Sequence, residues 1–428
     1  MTIFKSFDLP SERPEDVKTN LIFCVGLIAL MFVEIACADD WSGWRGPRGD
    51  GISREATAPL RWSASENISW KTAVPGTGLS SPIVVGKRVF LTTGDATDES
   101  RRVLSFDAES GKLLWNVIVH RGPGGTMHRF NSTASSTPVS DGKYVFASFV
   151  DDKGLVLAAV DFDGREVWNR SLGTFHSTHG FAACPVLFGE CVIVNGQQDG
   201  DAFVVALRCS DGEESWRYRP DVNLRSFSTP VLTKVGGRDQ LILTGSSQTL
   251  ALDPKNGERI WFAEGPTQKF VCTPCVGHGL VFSFGGSPEK RMMAVRLGGE
   301  GDVLGTHLAW RNERSMPYVP SPLLVGDYLH IMNDSGIYTC LAPLSGETLH
   351  TGRKLGSVYS SPISVADRIY FFEDSGTCTV IRNNSEFEIL AVNELGETVQ
   401  TTPAFSDGSL FVRTETQLVR ISSLPSVR

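Results

Sequence analysis

The sequence predicts an all-β fold, an eight-bladed β-propeller of four-stranded antiparallel blades, on three observations. A small residue followed by proline leads into a short apolar run eight times, at Pro82, Pro138, Pro185, Pro230, Pro274, Pro322, Pro362 and Pro403. The intervals of 56, 47, 45, 44, 48, 40 and 41 residues fall in the range of a radial array of four-stranded sheets. A second series runs out of phase with the first: LSFDAESGKLLW ends at Trp115, AAVDFDGREVW at Trp168, VVALRCSDGEESW at Trp216 and LALDPKNGERIW at Trp261. Beyond the N-terminal segment, no run of 10 to 20 residues carries a helical period.

Each repeat divides into four strands. In the second, STPVSD is the inner strand, KYVFASF the next, LVLAAVD the third and EVWNRSL the outermost. The tight turn before each indole carries Gly111, Gly164, Gly212 or Gly257, where positive φ is needed, beside an acidic or Asn residue able to satisfy turn amides. Later copies are weaker: YTCLAPLSGETL keeps Ser345-Gly346 without the Trp, CTVIRNNSEFEIL has Asn383, Asn384 and Phe387, and Trp310 ends an irregular copy. These indoles are expected to pack between neighbouring sheets. ISWKTAV around Trp70 reads as an outermost strand with no inner strands before it, whereas TPAFSDGSLFVRTETQLVRIS supplies three strands without a fourth. Pairing the N- and C-terminal strands hides both edges and closes the ring, with seven blades as the alternative count.

Residues 1–38 stand apart as a leader. The apolar run LIFCVGLIALMFV is too short to span a bilayer comfortably, and Ala36-Cys37-Ala38 offers a small-residue cleavage pattern, so the chain reads as exported, with an uncleaved anchor as the alternative. Residues 39–65, holding Trp41, Trp44 and Trp62, form an arm expected on the side or bottom of a single propeller over residues 66–428. The net charge of −8, or −6 without the leader, argues against a nucleic-acid groove. Of nine cysteines, seven lie beyond the leader, and an exported compartment permits disulfides; Cys184 and Cys191 flank a hairpin where a cross-strand pair is feasible. Cys272-Thr-Pro-Cys275 has dithiol spacing, but it falls at a strand entry rather than the helix N-terminus that activates a thiol.

The D-x-x-(S/T/N)-G-x-x-x-W series, as in Asp107-Ala-Glu-Ser-Gly-Lys-Leu-Leu-Trp115, is similar to the quinoprotein-type propeller repeat. That superfamily holds both pyrroloquinoline quinone dehydrogenases and an outer-membrane barrel-assembly lipoprotein. The opening Trp41-Ser-Gly-Trp44-Arg-Gly-Pro-Arg-Gly-Asp-Gly51 resembles exported propellers of planctomycetes. The resemblance covers residues 41 to about 421 and implies fold more than activity. The dehydrogenases bind quinone beside a vicinal disulfide, with Ca²⁺ held by Glu, Asn and Asp; this sequence has no Cys-Cys pair, and those calcium ligands find no matching positions.

In this blade order the outer-to-inner loops converge on the channel at the same end as the loops between second and third strands. They bring His128, Arg129, Asn131, His176, His179, Arg225, Lys269, Arg314 and Tyr318 toward one funnel, and the other loops add Asp95, Asp98, Asp151, Asp152, Gln197, Gln198, Asp199 and Asp201. Such a mouth can orient an anionic or polyhydroxyl ligand. His176 and His179 with Asp199 or Asp201 have metal-ligand chemistry but no fixed common face, so no metal is expected. The leading expectation is a monomeric, non-catalytic binding or assembly scaffold of the bacterial cell envelope, periplasmic or secreted, without a cofactor. It would meet an envelope protein or polysaccharide through a face that includes Phe130, Phe227, Phe270 and Tyr318. The alternative is a quinone-dependent or sugar-processing oxidoreductase using pyrroloquinoline quinone and Ca²⁺. There Arg225 or Lys269 would position an anion, and His128, His176 or His179 would abstract a proton.

Overall fold

A computed structural model describes residues 40–423 apart from Ala64 and Ser315; the leader lies outside the described residues. Eight sheets follow one another around a ring, spanning residues 83–121, 139–173, 186–218, 231–264, 275–312, 323–353, 363–394 and, for blade 8, 404–422 with 68–73. Blade 8 is completed by Ile68–Ala73, which runs antiparallel to Gln417–Ser422 with Trp70 opposite Arg420. The edge pairing expected from the unmatched first and last strands therefore closes the ring.

Third strands such as Leu155–Asp161 are buried on both faces, because each sheet is sandwiched between two others, and so their sequences read as nearly continuous apolar runs. The tryptophan series explains how the sandwich is stitched. Each outer-strand indole lies on the turn glycine of the next blade and donates from Nε1 to a carbonyl there: Trp115 to Phe162 at 2.8 Å, Trp168 to Cys209 at 2.9 Å and Trp216 to Pro254 at 3.0 Å. Trp70 does the same to Ala108 at 3.1 Å and Trp310 to Pro343 at 2.9 Å. At Gly212 a Cβ would come within 2.6 Å of Trp168, and φ is +71°, so both the close approach and the backbone demand glycine.

Trp261 departs from the rule and donates to the Gln240 side chain, because the corresponding turn of blade 5 is enlarged. That insertion adds Gly301–Asp302 as a fifth, parallel strand on blade 4 and forms a one-turn helix, Leu304–His307. Lys269–Phe270 and Ile52–Ser53 likewise widen blades 5 and 7, so three of the eight sheets hold five strands where the sequence pattern predicts four. In blade 6 the tryptophan position is taken by His350, and Phe387 of blade 7 fills the space by packing on Tyr338 with ring centroids 4.7 Å apart.

The arm occupies two places. Residues 41–53 cross one end of the central channel. Trp41 bridges Val84 of blade 1, the Ser42 carbonyl accepts from Ser140 of blade 2, and Arg45 donates to Pro322 at the entry to blade 6, 2.8 Å away. Ile52–Ser53 then pairs with blade 7, and the Glu55 carboxylate receives the amides of Asp407 and Gly408 of blade 8. Since blades 2 and 6 lie opposite each other in an eight-membered ring, this segment spans the channel rather than merely lining the rim. Residues 58–62 run over blade 7, where Trp62 stacks on Tyr370 and Phe372 near Ala391, the residue standing where other blades carry their indole.

The seven cysteines among the described residues are free thiols. Cys191 stands opposite Phe188, whereas Cys184 lies four residues before it, about 13 Å along the strand direction, so register separates the pair proposed from sequence. Cys272 and Cys275 are buried, and burial pushes both thiols up, Cys275 to about 11. Neither has the thiolate character of a redox dithiol.

Candidate functional site: a blind funnel on the loop face

The residue preceding each repeated proline builds the floor. The Ser81 amide donates to the Thr137 hydroxyl at 2.8 Å, Thr137 to the Cys184 thiol at 3.3 Å, and Cys184 to Thr229 at 3.0 Å. After one interruption the series resumes from Thr273 to Ser321 at 2.9 Å, Ser321 to Ser361 at 2.9 Å, Ser361 to Thr402 at 3.1 Å, and Thr402 back to Ser81 at 3.0 Å. The missing link is Thr229 to Thr273, and the Thr273 hydroxyl is correspondingly buried without a partner. Seven hydrogen bonds thus form a belt around the channel. Proline suits the following position because the inner strand starts there and needs no amide of its own.

Two residues upstream of each belt position, the extended chain again points a side chain at the axis. All eight of these positions, and every belt residue but Thr273, line a cavity of about 510 Å³ together with His128, His179 and Tyr318. Its aromatic wall includes Phe227 and Tyr359 from this second tier and Phe130 from the loop before blade 2. Trp44 lies at the bottom and also lines a separate cavity of about 240 Å³ beneath, so the arm divides the channel into two compartments. The funnel therefore opens only on the loop face.

The mouth is organised by aromatic contacts. His128 and His179 stack with centroids 5.7 Å apart and planes at 19°, while Phe130 lies against His128 and against Tyr359. Burial, followed by the positive charges of Arg225 and Lys269, holds His179 below the usual histidine range. Across the funnel, Asp334 receives the amides of Tyr318 and Val319, each at 2.9 Å, and pairs with Lys290 at 3.1 Å. Burial raises the Tyr318 hydroxyl, so the phenol remains neutral.

Of the residues singled out in the sequence, His128, Asn131, His179 and Tyr318 line the funnel. Asn131 serves as a brace, donating to the His179 carbonyl at 2.7 Å and accepting from Ser132 at 2.8 Å. Arg225 stands one layer behind, ion-paired with Asp199 and donating to Thr178 at 2.7 Å. Lys269 contributes charge near His179 but belongs to a short strand with Ser287. Arg129 covers the Phe130 ring at 4.5 Å, and Arg314 is exposed, with its amide held by Asn312. His176 packs toward Gly200 rather than beside His179, and no metal-binding cluster of three or more His, Cys, Asp or Glu occurs among the described residues. Phe270, expected on the docking face, is buried, its carbonyl accepting from Phe227. Trp44, Lys290, Asp334 and Tyr359 were missed. The second tier was readable at two residues before each small-residue-Pro step, but the arm's route across the channel carries no sequence signal.

A calcium-bound quinone would need a set of six to eight oxygen ligands. Among the described residues Asp334 is the single carboxylate on the funnel wall, and two amides and Lys290 already engage it. The residues present do not fit that group.

No curated protein matches this sequence. Among solved structures, BamB from Moraxella catarrhalis superposes with a TM-score of 0.60 at 15% identity, over 84% of this chain and 98% of that one. The quinohemoprotein alcohol dehydrogenase ADHIIG from Pseudomonas putida HK5 gives 0.58 at 12% identity, over 91% and 81%. A europium-containing methanol dehydrogenase gives 0.51 at 10% identity, over 89% of each chain. These likenesses establish a shared propeller fold across proteins of different function. The model of the family described as outer membrane protein assembly factor BamB matches residues 60–135 and 99–352, which is more than half of the sequence, and the chain belongs to this family of PQQ-repeat propellers.

Proposed function

We propose that this propeller is a non-catalytic binding scaffold of the bacterial cell envelope, one that takes part of its partner into the loop-face funnel. The observation that carries the reading is the blind, aromatic-walled cavity of about 510 Å³. Its size and lining are those of a ligand site, and the arm closes the opposite end. The ring supplies a rigid frame, and the loops before each inner strand supply the contacts. Family membership favours an assembly role in the envelope, since the family is described by an outer-membrane protein assembly factor. Among the described residues, the hydroxyl bonded to a stacked histidine is that of Thr178 beside His179, and Arg225 holds it.

A photo-crosslinking amino acid in place of Phe130, which is 44% exposed at the mouth, tests this reading against one in place of Leu344, 67% exposed on the opposite face. Expressed in the native envelope, the Phe130 position is expected to capture a discrete partner and the Leu344 position none. Equal capture at both positions would overturn the assignment. So would turnover of an alcohol or aldose by the purified protein supplied with pyrroloquinoline quinone and Ca²⁺.

A further inference from the structure

The hydrogen-bond accounting of the funnel leaves a surplus of one kind. Six belt hydroxyls, those of Ser81, Thr137, Thr229, Ser321, Ser361 and Thr402, each accept an amide. Those of Thr137 and Thr229 also bond the Cys184 sulfur, whereas among the described residues Ser81, Ser321, Ser361 and Thr402 have no side-chain acceptor. A hydroxyl that has accepted one bond still carries a rotatable O–H donor, so the floor presents four donors to the cavity, from Ser81, Ser321, Ser361 and Thr402.

The mouth repeats the bias. The Phe130 amide donates to His128 Nδ1 at 3.3 Å, which places the ring proton on Nε2. Arg225 donates to the Thr178 hydroxyl at 2.7 Å, and that hydroxyl lies 2.9 Å from His179 Nδ1. Accepting from the guanidinium polarises the Thr178 O–H for donation to the ring, the arrangement in which His179 carries its proton on Nε2 and aims a donor at the funnel. Neither Nε2–H has a partner among the described residues, and the two rings stack 5.7 Å apart. Positive charge from Arg225 and Lys269 surrounds His179, opposed by Asp199, which is spent on Arg225. The one carboxylate of the wall among the described residues, Asp334, is already neutralised by Lys290.

We infer that the funnel binds an acidic saccharide, its carboxylate or sulfate bridged by the Nε2–H groups of His128 and His179 and its ring hydroxyls received by the belt. This rests on the binding-scaffold reading and names the chemistry that enters the site. A donor-rich cavity leaves its own donors unpaired unless the ligand brings acceptors, and a polyol with an oxyanion brings many. The aromatic faces of Trp44, Phe130 and Tyr359 give the apolar faces of sugar rings a place to lie. An acidic peptide meets the oxyanion requirement but offers fewer hydroxyl-matched acceptors to the floor.

The test is calorimetric titration of the full chain with trigalacturonate, its fully methyl-esterified form, and a tripeptide of aspartate. Saturable binding of the acid is expected, with the ester roughly tenfold or more weaker for each charge-assisted donor that loses its anion. The double variant His128→Phe, His179→Phe, which keeps two stacked rings, is expected to bind acid and ester alike with an unchanged melting temperature. Imidazole nitrogen NMR of the unsubstituted protein provides a second readout: Nε2 of both histidines should shift with the acid and not with the ester. Equal affinity for acid and ester, no binding of either, or tighter binding of the peptide would overturn the inference. Failure here alongside specific crosslinking at position 130 would leave the scaffold standing with a different ligand, whereas binding without crosslinking would sink the scaffold and spare the site.

Discussion

At the scale of single residues, the belt makes a prediction with an internal control. Replacing Thr402 by Val removes the acceptor of the Ser361 amide and leaves a buried donor unpaired, at a cost of about 1–3 kcal/mol. Replacing Thr273 by Val removes a hydroxyl that already lacks a partner, and stability should hold or rise. Urea midpoints of the two variants check the contrast; equal losses would mean the belt contributes nothing. A second prediction concerns His330, buried between the Tyr338 hydroxyl at 2.7 Å and Asn383 at 2.9 Å, and pushed down to about 4 by burial. Its folded pKa lies below the unfolded value of about 6.5, so the unfolded chain takes up the proton first. Stability from this group is complete above pH 6.5 and falls as pH drops toward 4, by up to about 3 kcal/mol. His330→Gln should flatten that part of the pH profile measured by denaturant unfolding. The sequence displayed the small residue before proline eight times, yet its purpose could not be read there, because the belt partners lie some 40 to 56 residues away on the next blade, and 321 residues away where Thr402 meets Ser81.

Strands and turns were the most legible part of the chain, for a physical reason: five blades lay an outer-strand indole on the same turn of the next blade. Gly212→Ala should therefore cost more than Gly189→Ala. Both glycines have positive φ, +71° and +55°, which penalises a side chain by about 1–2 kcal/mol. Only Gly212 faces an indole, and the clash with Trp168 adds about 1–3 kcal/mol. Thermal midpoints of the pair decide whether the indole contact or the backbone alone dictates glycine. Trp62 supplies from the arm what blade 7 lacks at Ala391, and Trp62→Ala should lose about 3–5 kcal/mol, as a core residue rather than a tail residue would. The short added strands escaped the sequence reading, since two residues such as Gly301–Asp302 carry no periodicity; their pairing is imposed by neighbours already in place.

For the molecule as a whole, ring closure was legible because an orphan strand at one end matched a three-stranded blade at the other. A chain beginning after Val74 would bare the edge of Gln417–Ser422, and light scattering should record concentration-dependent association. A chain beginning after Asn67 keeps Ile68–Ala73 and isolates the arm's share of stability; its cavity should become a through-channel, because Trp44 is gone. If the shorter chain stays monomeric, edge protection is not what the closing strand provides. The belt has a further consequence for how such a ring breathes. Every link donates from one blade to the next in chain order, so losing a side chain loosens the amide of the blade before it, never the one after. The junction between blades 8 and 1, where the two ends of the propeller meet, is clasped by Thr402 and Ser81, while the open link at Thr229 and Thr273 lies diametrically across between blades 4 and 5. Hydrogen exchange should find the Thr229 amide faster than its clasped counterparts, marking a hinge line that runs away from the chain ends and divides the necklace opposite its fastening.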